Sequence, residues 1–142
     1  MPPRRRIFLD ANVIFAGLYS TRGAPNAILK AHIDGRVAAV ASRQVIEETV
    51  ANIRNKQPHL VPILYFLLQN APFEIQPDPT ADEVQRWAGI IHPTDAPVLA
   101  AAIAAQPDAL VTGNTRHFTP EVAKKAHLRI LTPAQFVEEI LS

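Results

Sequence analysis

Hydrophobic and polar residues follow each other along the chain in a way that predicts alternating strands and helices. Short apolar runs bounded by turn residues are typical of buried parallel strands, and longer amphipathic runs are typical of the helices that cover them. The predicted strands cover residues 6–9, 37–41, 73–75, 109–112 and 129–131. This pattern predicts an α/β protein, a three-layer α/β/α sandwich around a central, mainly parallel sheet.

Several of the helices between these strands begin at clear capping signals. The predicted helices cover residues 12–18, 25–33, 43–55, 59–69, 81–88 and 95–105, with a last helix from 133 to the end of the chain. Ser42, Thr80 and Thr132 are well placed as N-caps. The helix over 59–69 is so apolar that we expect it to be buried, with Phe66 in the core. Without repeats or linkers, residues 1–142 are expected to form a single domain.

Composition narrows the class of protein. Hydrophobic residues make up 48% of the 142 residues and charged residues 19%, which suits one packed core and excludes a disordered chain. The absence of cysteine excludes disulfides and thiolate chemistry and favours a cytoplasmic location. No apolar run approaches the roughly 20 residues that a bilayer requires, so no membrane association is expected. Residues 1–56 carry nine Lys/Arg against four Asp/Glu, which is compatible with a polyanionic partner.

Polar residues collect where the predicted strands end and helices begin. Asp10 ends the first strand, Glu47 and Glu48 lie early in the helix after the second, Asp95 opens the Ala-rich helix, and Asn114 follows the fourth strand. Parallel sheets bind ligands at the carboxyl ends of their strands. Grouped carboxylates repel each other unless a hard cation such as Mg²⁺ or Mn²⁺ lies between them. The arrangement therefore predicts a metal site suited to phosphodiester hydrolysis.

Each of these residues also has an ordinary structural interpretation. Asp10 and Asp95 are good helix N-caps, one of Glu47 and Glu48 is expected to be solvated, and Asn114 suits a turn. The five histidines show no paired spacing, so no histidine-rich zinc site is expected. A GxGxxG dinucleotide fingerprint is absent, and Asn12 stands where a haloacid-dehalogenase phosphatase needs a second Asp.

Four segments resemble the motifs of PIN-domain proteins, especially the bacterial and archaeal relatives of VapC toxins. They read FLDANV, SRQVIEE, TDAPVLAAA and LVTGNTRHF, and the resemblance covers essentially the whole chain. It implies a metal-dependent endoribonuclease that uses Mg²⁺ or Mn²⁺ in an acidic pocket. By position, it implies metal binding and catalysis by Asp10, Glu48 and Asp95, with pocket support from Asn12 and Thr112.

Asn114 departs from that resemblance. Many PIN nucleases carry a fourth Asp there, and an amide keeps an oxygen ligand but removes a negative charge. Asn114 therefore remains a catalytic candidate, while a second metal ion should bind more weakly. His117, three residues later, cannot replace the missing charge.

The resemblance also implies partners. Arg22, Arg43 and Arg116 are candidates for contacts with RNA phosphates, although each could be an ordinary surface charge. An antitoxin is expected to cover the acidic pocket, and a homodimer could form through residues 61–68 and the C-terminal helix, unless both are core. The alternatives are a non-catalytic PIN-fold scaffold that binds RNA or protein and, less favoured, a structure-specific DNA nuclease.

Overall fold

The computed structural model describes residues 4–141 and has a five-stranded parallel sheet at its centre. The strands are β1 (Arg5–Leu9), β2 (Val37–Ser42), β3 (Glu74–Gln76), β4 (Ala109–Val111) and β5 (Ile130–Leu131). They lie in the order β3-β2-β1-β4-β5, and every neighbouring pair is parallel. The predicted parallel sheet is confirmed, while residues 1–3 and 142, the ends of the predicted domain, lie outside the described residues.

Helices cover both faces of this sheet. They are α1 (Ala11–Tyr19), α2 (Ala24–Ile33), α3 (Arg43–Lys56), α4 (Val61–Asn70), α5 (Ala81–Trp87), α6 (Ala96–Ala105), α7 (Pro120–Ala126) and α8 (Pro133–Phe136). Helices α1 to α4 pack against one another and α5 packs against α6, so the parallel sheet is flanked by helices and the three-layer fold is confirmed. Between residues 4 and 141, no helix is long and apolar enough to cross a membrane.

Local chemistry explains most of these elements. The central strand buries Ile7, Phe8 and Leu9 completely, as expected for a strand covered on both faces. Ser42 accepts a hydrogen bond from the Val45 N–H, and Thr80 and Thr132 each start a helix through a reciprocal capping box. The three predicted N-caps therefore lie where the sequence placed them.

The helix over residues 59–69 is where the burial prediction is wrong. The segment begins with a 3₁₀ turn, Pro58–Leu60, and continues as α4. On α4, Leu64 and Leu67 are buried, but Phe66 is 68% exposed and Ile63 and Tyr65 are about half exposed. Because α4 lies in the outer layer, only one of its faces meets the protein, and its other apolar face remains in solvent.

Helix α7 was not predicted at all. Its sequence, PEVAKKA, offers two buried residues, Val122 and Ala126, and no long apolar stripe. The signals that do define it are Thr119, which accepts a hydrogen bond from the Val122 N–H, and the proline at its first position. A short helix of this kind is fixed by its cap and its packing more than by periodicity.

Candidate functional site

The candidate site lies at the switch point of the sheet, where the chain stops adding strands on one side of β1 and begins to add them on the other. From β1 the chain moves outward through β2 and β3, and it then returns to β4 on the other side of β1. The loops that follow β1 and β4 therefore diverge and leave a crevice at the carboxyl ends of the strands. Asp10 follows β1 directly and Thr112 follows β4, and the Thr112 hydroxyl donates a hydrogen bond to Asp10 Oδ2 at 2.8 Å.

Asp10 is buried and receives three hydrogen bonds. Its Oδ1 accepts from the Ala11 N–H at 2.8 Å, and its Oδ2 accepts from Asn12 Nδ2 at 3.1 Å as well as from Thr112. Burial raises the pKa of Asp10, and the negative charge of Asp95 adds to this rise, while the three donors act in the opposite direction. Asp10 thus caps α1 and faces the crevice at the same time, so the two interpretations of this residue are compatible.

Asn12 and Thr112 tie the two loops of the crevice together. Asn12 Oδ1 accepts a hydrogen bond from the Gly113 N–H at 2.9 Å, and Thr112 Oγ1 accepts one from the Asn114 N–H at 3.0 Å. Each of these side chains therefore bonds both to Asp10 and to the loop after β4. That arrangement fixes the orientation of the Asp10 carboxylate, which is what pocket support requires.

Glu48 joins Asp10 and Asp95, whereas Glu47 does not. Burial raises the pKa of Glu48, and the negative charges of Asp10 and Asp95 raise it further, which places the three carboxylates in one electrostatic group. We call Asp10, Glu48 and Asp95 the acidic group. Glu47 instead accepts a hydrogen bond from Arg43 Nε at 2.9 Å on the exposed side of α3.

Asp95 lies at the start of α6, but its side chain makes no capping hydrogen bond. Its Oδ1 is 3.5 Å from Asn114 Nδ2, and its Oδ2 is 2.5 Å from His117 Nδ1. The structure thus brings Asn114 to the acidic group, as expected, and rules out the N-cap interpretation of the Asp95 carboxylate. It also adds His117, to which the sequence had assigned no role.

His92 and His117 form a pair that sequence spacing did not reveal. Their rings stack with centroids 4.7 Å apart and planes 5° from parallel. One ligand atom from each of His92, Asp95 and His117 lies within 4.8 Å of the other two. The one available signal was that His92 precedes Asp95 by three residues and His117 follows Asn114 by three.

The three candidate arginines differ in their placement. Arg43 is paired with Glu47 and so points along the exposed side of α3 rather than into the acidic group. Arg22 and Arg116 are exposed, in the loops that precede α2 and α7. Arg116 is adjacent in sequence to His117, whose ring contacts Asp95.

The fold and the acidic group define an α/β protein with a candidate cation site at the switch point of its sheet. The sequence over residues 6–116 matches the family model of the PIN domain. This chain belongs to the PIN domain family, and the predicted resemblance is confirmed.

Solved structures share this fold. VapBC2 from Rickettsia felis, solved bound to a DNA fragment from its promoter, has a TM-score of 0.63 and 18% identity over 89% of this chain and 98% of that chain. PAE2754 from Pyrobaculum aerophilum has a TM-score of 0.61 and 20% identity over 97% of this chain and 91% of that one. No protein among the curated ones matches this sequence.

Proposed function

We propose that this chain is a metal-dependent endoribonuclease that hydrolyses RNA phosphodiester bonds and acts as the toxin of a toxin–antitoxin pair. One observation supports the proposal: Asp10, Glu48 and Asp95 come from distant parts of the chain but lie near enough for their charges to interact, and burial and this repulsion raise the pKa values of Asp10 and Glu48. A protein gains nothing in stability from such a group, whereas a divalent cation turns the repulsion into binding energy.

The residues present fit a hard divalent cation. Asp10, Glu48 and Asp95 offer carboxylate oxygens, which Mg²⁺ and Mn²⁺ prefer, and Asn114, whose Nδ2 faces Asp95, would add its amide oxygen after a rotation of the amide. When bound, the ion would supply an acidified water and positive charge opposite the scissile phosphate. Thr112 and Asn12 hold Asp10 in place, and Arg116 is available to neutralise a neighbouring phosphate.

Adjacent glutamates provide a matched test of catalysis. Glu48→Gln and Asp10→Asn should each lower the rate of RNA cleavage at least ~100-fold, because even the groups behind metal ligands contribute 10- to 100-fold. Glu47→Gln, one residue from Glu48 but paired with Arg43, should cleave at the wild-type rate. The measurement is Mg²⁺- or Mn²⁺-dependent cleavage of a mixed RNA pool by protein freed of any bound partner.

The outcomes separate the nuclease from its alternatives. Equal cleavage by wild type and Asp10→Asn would show a contaminating nuclease or a different site. RNA binding without cleavage, together with no uptake of Mg²⁺ or Mn²⁺, would favour the non-catalytic scaffold. Cleavage of branched DNA in preference to RNA would favour the structure-specific DNA nuclease.

The toxin role extends this proposal to a protein partner. One structure with this fold is VapBC2 bound to a fragment of promoter DNA. We infer that this chain also has an antitoxin partner, which places a basic side chain against the acidic group and neutralises it. Induced expression of the wild-type chain in a bacterium should stop growth, and Asp10→Asn should not. Growth arrest that persists in Asp10→Asn would contradict toxicity through RNA cleavage.

We also infer a homodimer, formed through the exposed apolar face of α4. Ile63 and Phe66 on α4 and Ile33 on α2 are about half exposed or more, and with Leu18 and Leu29 they border one groove. Contiguous apolar surface of this kind marks an interaction site more often than solitary exposed residues do.

A further inference from the structure

We propose that His92, Asp95 and His117 form a second cation site, which adjoins the acidic group and selects a borderline transition ion such as Zn²⁺ over Mg²⁺. The three side chains offer two imidazole nitrogens and a carboxylate oxygen within 4.8 Å of one another. Asp95 belongs to both sites. The role of the acidic group rests on the proposed function, but the nitrogen ligands do not.

The two oxygens of Asp95 face different partners. Oδ1 is directed at Asn114, at 3.5 Å, and Oδ2 is directed at His117 Nδ1, at 2.5 Å. Since the Asp95 side chain makes no capping hydrogen bond, neither oxygen is occupied by the start of α6. The carboxylate can therefore serve the acidic group through one oxygen and the histidine pair through the other.

His117 lies beside the carboxylate with which it would share the ion. An ion held by His117 Nδ1 and Asp95 Oδ2 would replace the hydrogen between these two atoms. His117 has its Nδ1 on Asp95 Oδ2, and its side chain keeps a third of its surface exposed, so an ion in solution can reach the ring. The Asp95 contact also limits rotation of the ring before any ion binds.

His92 is held beside His117 by a separate set of contacts. Its Nδ1 is 2.7 Å from the Thr94 hydroxyl and 3.2 Å from the Thr94 N–H, and its ring lies parallel to that of His117. A loop side chain that is exposed on the surface would ordinarily lose considerable rotamer freedom on binding an ion. The Thr94 contacts reduce that loss by restricting the ring, which would tilt out of its stack on His117 so that its in-plane lone pair meets the ion.

The donor set determines which ion is bound. Imidazole nitrogen suits Zn²⁺, Co²⁺ and Ni²⁺, whereas Mg²⁺ takes oxygen ligands almost exclusively. Three protein ligands with a fourth position open to solvent is the arrangement of zinc sites that also bind water or a substrate. The acidic group and the histidine pair should thus prefer different ions, although they share Asp95.

The test compares Zn²⁺ and Mg²⁺ binding by calorimetry, with the full chain freed of any polyhistidine tag. Wild type should bind one Zn²⁺ per chain, and His92→Ala and His117→Ala should each weaken Zn²⁺ binding at least ~10-fold while changing Mg²⁺ binding less than ~3-fold. His59→Ala is the matched control, since His59 is exposed and far along the chain from the pair. It should leave both ions unaffected.

Asp10→Asn distinguishes this site from the acidic group. It should lose RNA cleavage and Mg²⁺ binding but retain Zn²⁺ binding within ~3-fold, because Asp10 contributes no ligand to the histidine pair. Co²⁺ absorption in the visible region gives a second readout, which should disappear in His92→Ala. The proposal is overturned if both histidine variants bind Zn²⁺ as wild type does, or if Asp10→Asn abolishes Zn²⁺ binding. If wild type binds Zn²⁺ through His92 and His117 but does not cleave RNA, the proposed nuclease function is contradicted and the second cation site is not.

Discussion

Glu47 and Glu48 are adjacent in the chain but have different charged neighbours, Arg43 beside Glu47 and two carboxylates near Glu48. Glu48 has a raised pKa because it is partly withdrawn from solvent and lies near Asp10 and Asp95. A raised pKa in the folded state means that ionisation of Glu48 costs stability. This cost is absent below the pKa of the unfolded chain and complete above the folded pKa.

Glu48→Gln should therefore stabilise the metal-free protein at pH 7, by about 0.5 kcal/mol once solvent screening is allowed for. The gain should shrink as the pH falls and be mostly lost at pH 4, just below the ordinary pKa of a glutamate in the unfolded chain. Saturating Mn²⁺ should reverse the order, since wild type then gains more from binding than the variant does. Urea unfolding at pH 4 and 7, with and without Mn²⁺, measures this, and a Glu48→Gln protein less stable than wild type without metal would contradict it.

At the scale of residues, the sequence predicts chemistry where the strand ends determine it. Asp10, Asp95 and Asn114 follow from the rule that parallel strands present their carboxyl ends at one edge. The choice of Glu48 over Glu47 came from the resemblance to PIN proteins, because helical periodicity permits either. The contact of His117 with Asp95 could not be predicted, since it depends on how a loop after β4 packs against the start of α6.

At the scale of elements, a buried histidine joins α2 to the sheet. His32 Nδ1 accepts a hydrogen bond from the Ala39 N–H of β2 at 3.1 Å, and its Nε2 donates to the Ala71 carbonyl at 2.8 Å. Its ring also meets Phe73 edge-on, with centroids 4.7 Å apart. One side chain thus satisfies two backbone groups from β2 and from the end of α4.

His32→Ala should lower the free energy of unfolding by about 3 kcal/mol, because it leaves a donor and an acceptor without partners and opens a cavity. His59→Ala, at an exposed position, should change it by less than about 0.5 kcal/mol. Urea denaturation of the two variants makes the comparison. A loss below about 1 kcal/mol in His32→Ala would mean that water replaces the ring.

Elements with strong local signals are the ones that could be predicted. Ser42, Thr80 and Thr132 define helix starts by capping, and the apolar run Ile7, Phe8 and Leu9 predicts that β1 is a buried strand. The exposed face of α4 could not be foreseen, because apolar density gives no indication of which layer a helix occupies. Helix α7 was missed because capping, rather than periodicity, defines it.

At the scale of the whole molecule, the apolar face of α4 predicts association. Phe66→Asp should convert a dimer to a monomer in sedimentation velocity and leave RNA cleavage by each chain within ~3-fold of wild type, because a charge placed in an apolar interface remains unpaired. Ile90→Ser is the control, since Ile90 is 38% exposed in the turn after α5, away from that groove. A wild type that sediments as a monomer at all concentrations would exclude the dimer.

Because β1 is the central strand, the surroundings of Asp10 depend on parts of the chain that are translated late. Asp10 leaves the ribosome early, but its hydrogen-bond partner Thr112 is 102 residues further on, and the β4 strand that flanks β1 is made just before it. A growing chain that already contains all three carboxylates therefore still lacks the strand and the hydroxyl that orient the first of them. Both the β1–β4 pairing and the Thr112 hydrogen bond require residues 109–112, so the surroundings of Asp10 are complete only after most of the chain has been translated. A fragment that ends before β4 lacks them.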